Sequence, residues 1–311
     1  RNNKVHTIIF FIFLVANIGG SLTPLGDPPL FLGFLHGVEF FWTTKALFFP
    51  MLTISILILI IYYCIDQYFY NKESLDDRFT NNSGVALGID GKINFILFFG
   101  VIISVLISGF WKPDIESLSI LGTHIKIPNI FRDINLLILT ALSLHFTDKS
   151  IRNMNGFTWF PVLEVGKLFA GIFITIIPVI AILKAGKSGS LSSILLLVTD
   201  LQGNPVNIMY FWLTGILSSL LDNAPTYLVF FNLAGAAAKG NMPIADYLMN
   251  VIPETLKAIS AGAVFMGAMT YIGNAPNFMV KSIAEENNIK MPSFFGYMLW
   301  STLILIPVFY I

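Results

Sequence analysis

The stretch Ser21-Leu22-Thr23-Pro24-Leu25-Gly26-Asp27-Pro28-Pro29 decides how this chain is read, because it returns near the other end as Ala268-Met269-Thr270-Tyr271-Ile272-Gly273-Asn274-Ala275-Pro276. Thr, Gly, the Asp/Asn position and the second Pro coincide without a gap. Each copy interrupts an apolar run long enough to cross a bilayer, 5–41 in one case and 256–288 in the other. Proline has no N–H and costs about 3 kcal/mol in a helix interior. Unpaired backbone groups in lipid cost several kcal/mol each, so such a break survives only where protein or a water-filled cavity covers it. The two copies are therefore expected as broken helices. Asp27 and Asn274 are expected to N-cap the half-helices that follow, with Pro28 and Ala275 at the first helical position. Carbonyls freed before each break can ligate a cation, and the half-helix N-termini offer partial positive charge to an anion.

Composition agrees with a membrane setting. Of 311 residues, 55% are hydrophobic and 12% charged, about half the charge of a soluble domain, and the mean hydropathy is +0.76. Eighteen basic and eighteen acidic residues cancel, so nothing points to nucleic acid. Cys64 stands alone, which excludes an internal disulfide or a cysteine metal cluster. A core about 30 Å thick needs about 20 apolar helical residues. Continuous spans are expected over 46–65, 93–111, 130–147, 159–183 and 293–311. A polar loop is expected over 67–92, a loop with surface-lying structure over 112–129 and an interfacial segment over 191–198. The run 205–238 carries a polar, proline-bearing turn at its centre, Ser218-Ser219-Leu220-Leu221-Asp222-Asn223-Ala224-Pro225-Thr226, and reads as a re-entrant hairpin.

Four spans and that hairpin separate the two breaks, so their segments run in opposite directions. Inverted repeats with helices broken near the midplane characterise secondary transporters. The fold class is thus an all-α polytopic membrane protein of the inverted-repeat type, with broken helices and a re-entrant hairpin. Residues 1–66 form the end of the first repeat, 67–92 the polar loop and 93–311 the second repeat. Following the crossings from Arg1 places nine basic residues on its side against seven or eight on the other, so the rule of positive loops makes the Arg1 side cytoplasmic by a narrow margin.

At these residues the chain resembles the ion transporter superfamily of citrate and dicarboxylate carriers, arsenite permeases and NhaD-type sodium/proton antiporters. The nearest likeness is to citrate-transporter-like sodium:proton antiporters. It rests on Ala16–Trp42 (ANIGGSLTPLGDPPLFLGFLHGVEFFW), Phe160–Ile182 (including EVGKLFAGIFITIIP), Ser218–Ala234 (SSLLDNAPTYLVFFNLA) and Gly262–Lys281 (GAVFMGAMTYIGNAPNFMVK). The resemblance implies a hairpin and a broken helix in each repeat, whose tips and breaks form the cation and substrate sites. Carried over residue by residue, Ser219, Asp222, Asn223 and Thr226 form the second hairpin tip. Thr270, Gly273, Asn274 and Asn277 form its paired break, and Thr23, Gly26 and Asp27 the break of the first repeat. The first hairpin would lie upstream of Arg1, so an N-terminal truncation is expected. The Ser-Asn-Thr tip of dicarboxylate carriers is replaced by Asp222-Asn223.

Charges inside spans are costly and read as functional by default. Asp27 and Asp222 can each bind a hard cation, which prefers oxygen ligands, and can also titrate. Glu164 and Lys167 share a helix face at i, i+3 and can pair, with proton coupling as the functional alternative. Asp200 and Glu254 read as solvated charges, and His36, His124 and His145 as structural. The expected activity is sodium or lithium/proton antiport by alternating access across a bacterial cytoplasmic (inner) membrane. Cation-coupled carriage of citrate or another dicarboxylate is the alternative, and arsenite permeation ranks below it. No bound cofactor is expected beyond transported sodium and protons. The partners are the lipid bilayer and small inorganic ions or a small organic anion; a homodimer stays open. No metal-peptidase, serine-nucleophile or phosphate-loop motif is present, which disfavours an enzyme or ATP-driven transport.

Overall fold

The computed structural model describes residues 3–73, 88–111, 113, 117–120, 123–159, single positions between 162 and 181, 196–238 and 242–310. The chain divides into two compact units, residues 1–80 with 165–311, and residues 81–164. Most of the span expected at 159–183, Glu164 and the greater part of the loop at 67–92 lie outside the described residues.

The larger unit opens with α1 (Val5–Leu14), a 3-10 turn (Ile18–Leu22) and α2 (Pro28–Leu35), followed by α3 (Trp42–Lys72). The 31 residues of α3 extend about 46 Å at 1.5 Å per residue, more than the hydrocarbon core requires. Phe49, Ile56, Ile60 and Tyr63 leave much of its surface exposed and apolar, as a lipid-facing helix should. Val5–Leu22, by contrast, is the most buried of the four described helices that are long and apolar enough to cross a membrane; the others are Trp42–Lys72, Ile93–Phe110 and Ile127–Phe146.

In the smaller unit, α4 (Ile93–Phe110) packs on α5 (Ile127–Phe146), and α6 (Lys149–Met154) follows. Asn94 Oδ1 accepts hydrogen bonds from the hydroxyls of Ser143 and Thr147, both at 2.9 Å. Between the helices, β1 (Ser117–Ile120) pairs antiparallel with β2 (Thr123–Lys126). This hairpin corrects the all-α expectation. Leu118, Ile120, Thr123 and Ile125 alternate with period two, which suits a short strand pair better than a helix.

The rest of the larger unit comprises α7 (Asn207–Leu220), α8 (Asn223–Gly235), α9 (Ile244–Asn250) and α10 (Pro253–Phe265). A 3-10 turn (Met266–Met269), α11 (Ala275–Glu286) and α12 (Phe294–Phe309) complete it. The short α9, unforeseen in the sequence, meets α10 at 102°. Pro253 can start a helix but cannot continue one, so the chain turns there. Helix α10 is the hub. Val264 and Phe265 join a core with Ile9, Phe13, Leu47 and Tyr297. Leu256, Ile259 and Ala263 join another with Tyr227, Phe231 and Leu248. Glycines let α7 and α10 approach: a Cβ on Gly262 would sit 2.5 Å from Phe211 O, the small-residue contact by which membrane helices associate without a hydrophobic drive.

Candidate cation site

The sequence repeat is also a backbone repeat. Each arm leaves α geometry through a 3-10 turn and then one extended residue, Thr23 at φ −142, ψ 155 and Thr270 at φ −136, ψ 166. Each re-enters through an extended residue before the next helix, Asp27 at φ −152, ψ 138 and Asn274 at φ −154, ψ 135. Two glycines close each loop. A Cβ on Gly26 would fall on Gly20 O and lie 2.8 Å from the Gly20 C and Cα, and one on Gly273 would lie 2.6 Å from Gly267 O.

The two breaks and the α7–α8 turn meet in a buried polar cluster. Asp27 is 2% exposed, Asn274 1%, and Asn17, Asn223 and Asn277 0%. Asn223 Nδ2 donates to Asp27 Oδ1 at 2.8 Å. Asn274 Nδ2 is shared among Asn17 Oδ1 at 3.1 Å, Ala16 O at 3.3 Å and Asp27 Oδ2 at 3.4 Å. Asn17 Nδ2 donates to Asn277 Oδ1 at 2.7 Å and to Ile12 O at 2.8 Å. Asn277 Nδ2 reaches back to Gly267 O and Thr270 O, both at 2.8 Å. These partners fix each amide orientation, since a flipped amide would set oxygen against oxygen. The consequence is a pair of buried oxygens without a partner, Asn223 Oδ1 and Asn274 Oδ1. Leaving a buried acceptor unsatisfied costs about 1–3 kcal/mol. Both oxygens belong to amides whose Nδ2 groups face the Asp27 carboxyl, and oxygen is the donor a small hard cation prefers.

The structure separates the two aspartates. Asp222 caps α8, its carboxylate accepting from Ala224 N at 3.0 Å. Asp27 and Asn274 hold the N-cap positions of α2 and α11 but make no side-chain cap bond, contrary to the capping expected from sequence. Prolines explain part of this. Pro28 and Pro29 remove two backbone donors after Asp27, and Pro276 removes one after Asn274. The side chains turn instead to each other and to Asn223.

A second correction concerns the carbonyls before the breaks. In the second arm they are already engaged. Asn277 holds those of Gly267 and Thr270, Tyr297 Oη donates to Ala268 O at 2.8 Å and Ser301 Oγ to Met269 O at 2.6 Å. Those of Ala268 and Met269 tie the break to α12, and those of Gly267 and Thr270 tie it to α11. The other expected site residues also act through their backbones or as braces. Thr23 O accepts from Gly26 N at 2.9 Å. Thr270 Oγ1 donates to Ser219 O and accepts from Gly273 N at 3.0 Å. The hydroxyls of Ser219 and Thr226 bond Ile216 O and Asp222 O. Lys167 is exposed; Glu164, its expected partner, is outside the described residues.

Sequence reasoning missed Asn17. Its signal was present: one amide side chain within the apolar run Val5–Leu22, where a polar group needs a reason. Two open clefts among the described residues lie apart from the cluster. One of about 600 Å³ lies beside Asp200, Tyr210 and Tyr247, and one of about 520 Å³ beside Lys4, Thr7 and Asp66. Among the described residues no group of three or more His, Cys, Asp or Glu side chains is placed to hold a metal.

A family model described as "Putative citrate transport" matches residues 1–311. No curated protein and no solved structure matches the chain.

Proposed function

The chain belongs to this citrate-transport family of multi-pass membrane transporters, and from that premise we propose that it is a secondary transporter exchanging sodium or lithium for protons at Asp27. The proton and the cation would take turns on one carboxyl, with the amide oxygens of Asn223 and Asn274 completing the cation's shell. The single observation that carries the reading is the pair of unpartnered amide oxygens on the two asparagines that hydrogen-bond the buried Asp27 carboxyl. Exchange would proceed by alternating access, with the two repeats inverted and the α7–α8 pair as the re-entrant hairpin, in a bacterial cytoplasmic membrane. The test is a pH jump in everted vesicles carrying the full natural chain. Added sodium or lithium should dissipate a preset proton gradient, and an unchanged gradient refutes the proposal.

A second reading, cation-coupled uptake of citrate or a related organic anion, has its own support in the family description. The N-termini of α2, α8 and α11 also meet at the cluster, and helix N-termini favour anions. Against it, the side chains assembled there among the described residues are four amides and one carboxyl, with no lysine or arginine to clamp a polycarboxylate. Sodium-dependent uptake of labelled citrate, with no sodium-driven proton movement, would establish this second reading instead.

A further inference from the structure

The two breaks match in backbone but not in what crosses between them. Asn17 leaves the end of the first arm and inserts its amide into the second break; its counterpart in the aligned second arm is Val264, an apolar core residue. Of the three oxygens that draw Asn274 Nδ2, that of Asn17 is nearest, at 3.1 Å against 3.3 Å and 3.4 Å. A cation arriving on Asp27 would compete for the Asp27 oxygen. Asn17 Oδ1 and the Ala16 carbonyl would then hold the Asn274 amide alone. The other half of the Asn17 amide is clamped by Ile12 O and Asn277 Oδ1, so its own orientation is fixed before any ion arrives. Asn277 in turn is held by Gly267 O and Thr270 O. The chain of bonds therefore runs from α1 through Asn17 to the second break and ends at the Asn274 amide, whose Oδ1 has no hydrogen-bond partner.

We propose that Asn17 is the positioning residue of this site, holding the Asn274 amide, with its unpartnered Oδ1, in one orientation without touching the ion itself. The inference rests on the cation-site reading of Asp27. It assigns to Asn17 a part of the cation affinity exerted entirely through Asn274. Preorganisation of this kind lowers the cost of binding, because the ligand oxygen need not be reoriented when the ion enters.

The test is sodium-dependent proton movement in proteoliposomes containing the full natural chain, with the half-saturating sodium concentration and the maximal rate read separately. Asn17→Ala should raise half-saturation about tenfold, with the maximal rate within about twofold, since one ligand contact has lost its orientation. Asn274→Ala should give a similar rise. The double variant should be no worse than the worse single one, the signature of two residues acting as one. Multiplied effects in the double variant, or a lowered thermal midpoint with half-saturation unchanged in Asn17→Ala, would reduce Asn17 to a packing residue and overturn the proposal. Where Asn17→Ala does not fold, Asn17→Gln, which displaces the same amide by one methylene, enters the same cycle. Asp27→Asn separates the two levels. If it transports like the wild type, the cation-site reading itself fails. If it is inactive while Asn17→Ala keeps wild-type half-saturation, only the positioning role fails.

Discussion

Gly26→Ala puts the greatest strain on the loop that presents Asp27. A Cβ there would fall on Gly20 O and lie 2.8 Å from the Gly20 C and Cα. All of these are backbone atoms, so no side chain can swing aside. Carbon–carbon contacts settle at about 3.5–4.0 Å, so the loop must open by about 0.7–1.2 Å. Overpacking of this kind costs about 1–3 kcal/mol. The Asp27–Asn223 bond, now 2.8 Å, would stretch to about 3.5 Å or more, beyond a useful hydrogen bond. With one ligand arm displaced, half-saturation for sodium should rise about tenfold to a hundredfold, at 1.4 kcal/mol per decade. The assay is sodium-driven collapse of a proton gradient across a range of sodium concentrations, beside a thermal melt of the purified protein. Gly88→Ala is the control, because nothing lies within 4 Å of its Cβ position. Wild-type half-saturation and melting in Gly26→Ala would refute the claim that the Gly20–Gly26 contact sets the position of Asp27.

The two aspartates should behave differently. Asp222→Asn, which keeps a good capping side chain, should retain sodium-driven exchange, whereas Asp222→Ala should lose about 0.5–2 kcal/mol of stability; abolished exchange in Asp222→Asn would make Asp222 a ligand. Tyr297→Phe and Ser301→Ala each leave a buried carbonyl of the second break unpaired, and each should lower stability by about 1–3 kcal/mol in denaturant or thermal melts; unchanged melts would show that α12 does not staple the break. In the loop before α7, the backbone and side-chain N–H groups of Asn204, with the backbone of Gln202, hold the Asp200 carboxyl below the usual carboxylate range. The turn is therefore stabilised above the ordinary carboxylate value and loses that support only as the pH falls through the lower folded one. A carboxyl titration followed by NMR should show a midpoint below about 3.9, and a midpoint at or above that value contradicts the described turn.

The breaks were legible because proline, glycine and a polar residue inside an apolar run have few other physical meanings. Their matching dihedrals follow from Thr23 and Thr270, Gly26 and Gly273, Asp27 and Asn274 occupying equivalent positions. What those side chains do was not legible. Local rules make Asp27 and Asn274 caps; neither caps, because prolines remove donors and Asn223, far along the chain, supplies another. The freed carbonyls of the second arm were expected as ligands, but Tyr297 and Ser301 on α12 consume two of them, and no local pattern announces contacts over 29 and 32 residues. Asn17 does not stand out in the repeat, because its partner position is the apolar Val264. The β1–β2 hairpin is too short to stand out from a loop rich in mixed residues.

The most direct measurement is equilibrium binding of radioactive sodium to the purified full natural chain and to Asp27→Asn, with Asp222→Asn beside them. Saturable binding that protons displace should appear in the wild type and in Asp222→Asn and vanish in Asp27→Asn. Undiminished sodium binding in Asp27→Asn would contradict the assignment of Asp27, with the Asn223 and Asn274 oxygens, as the cation site.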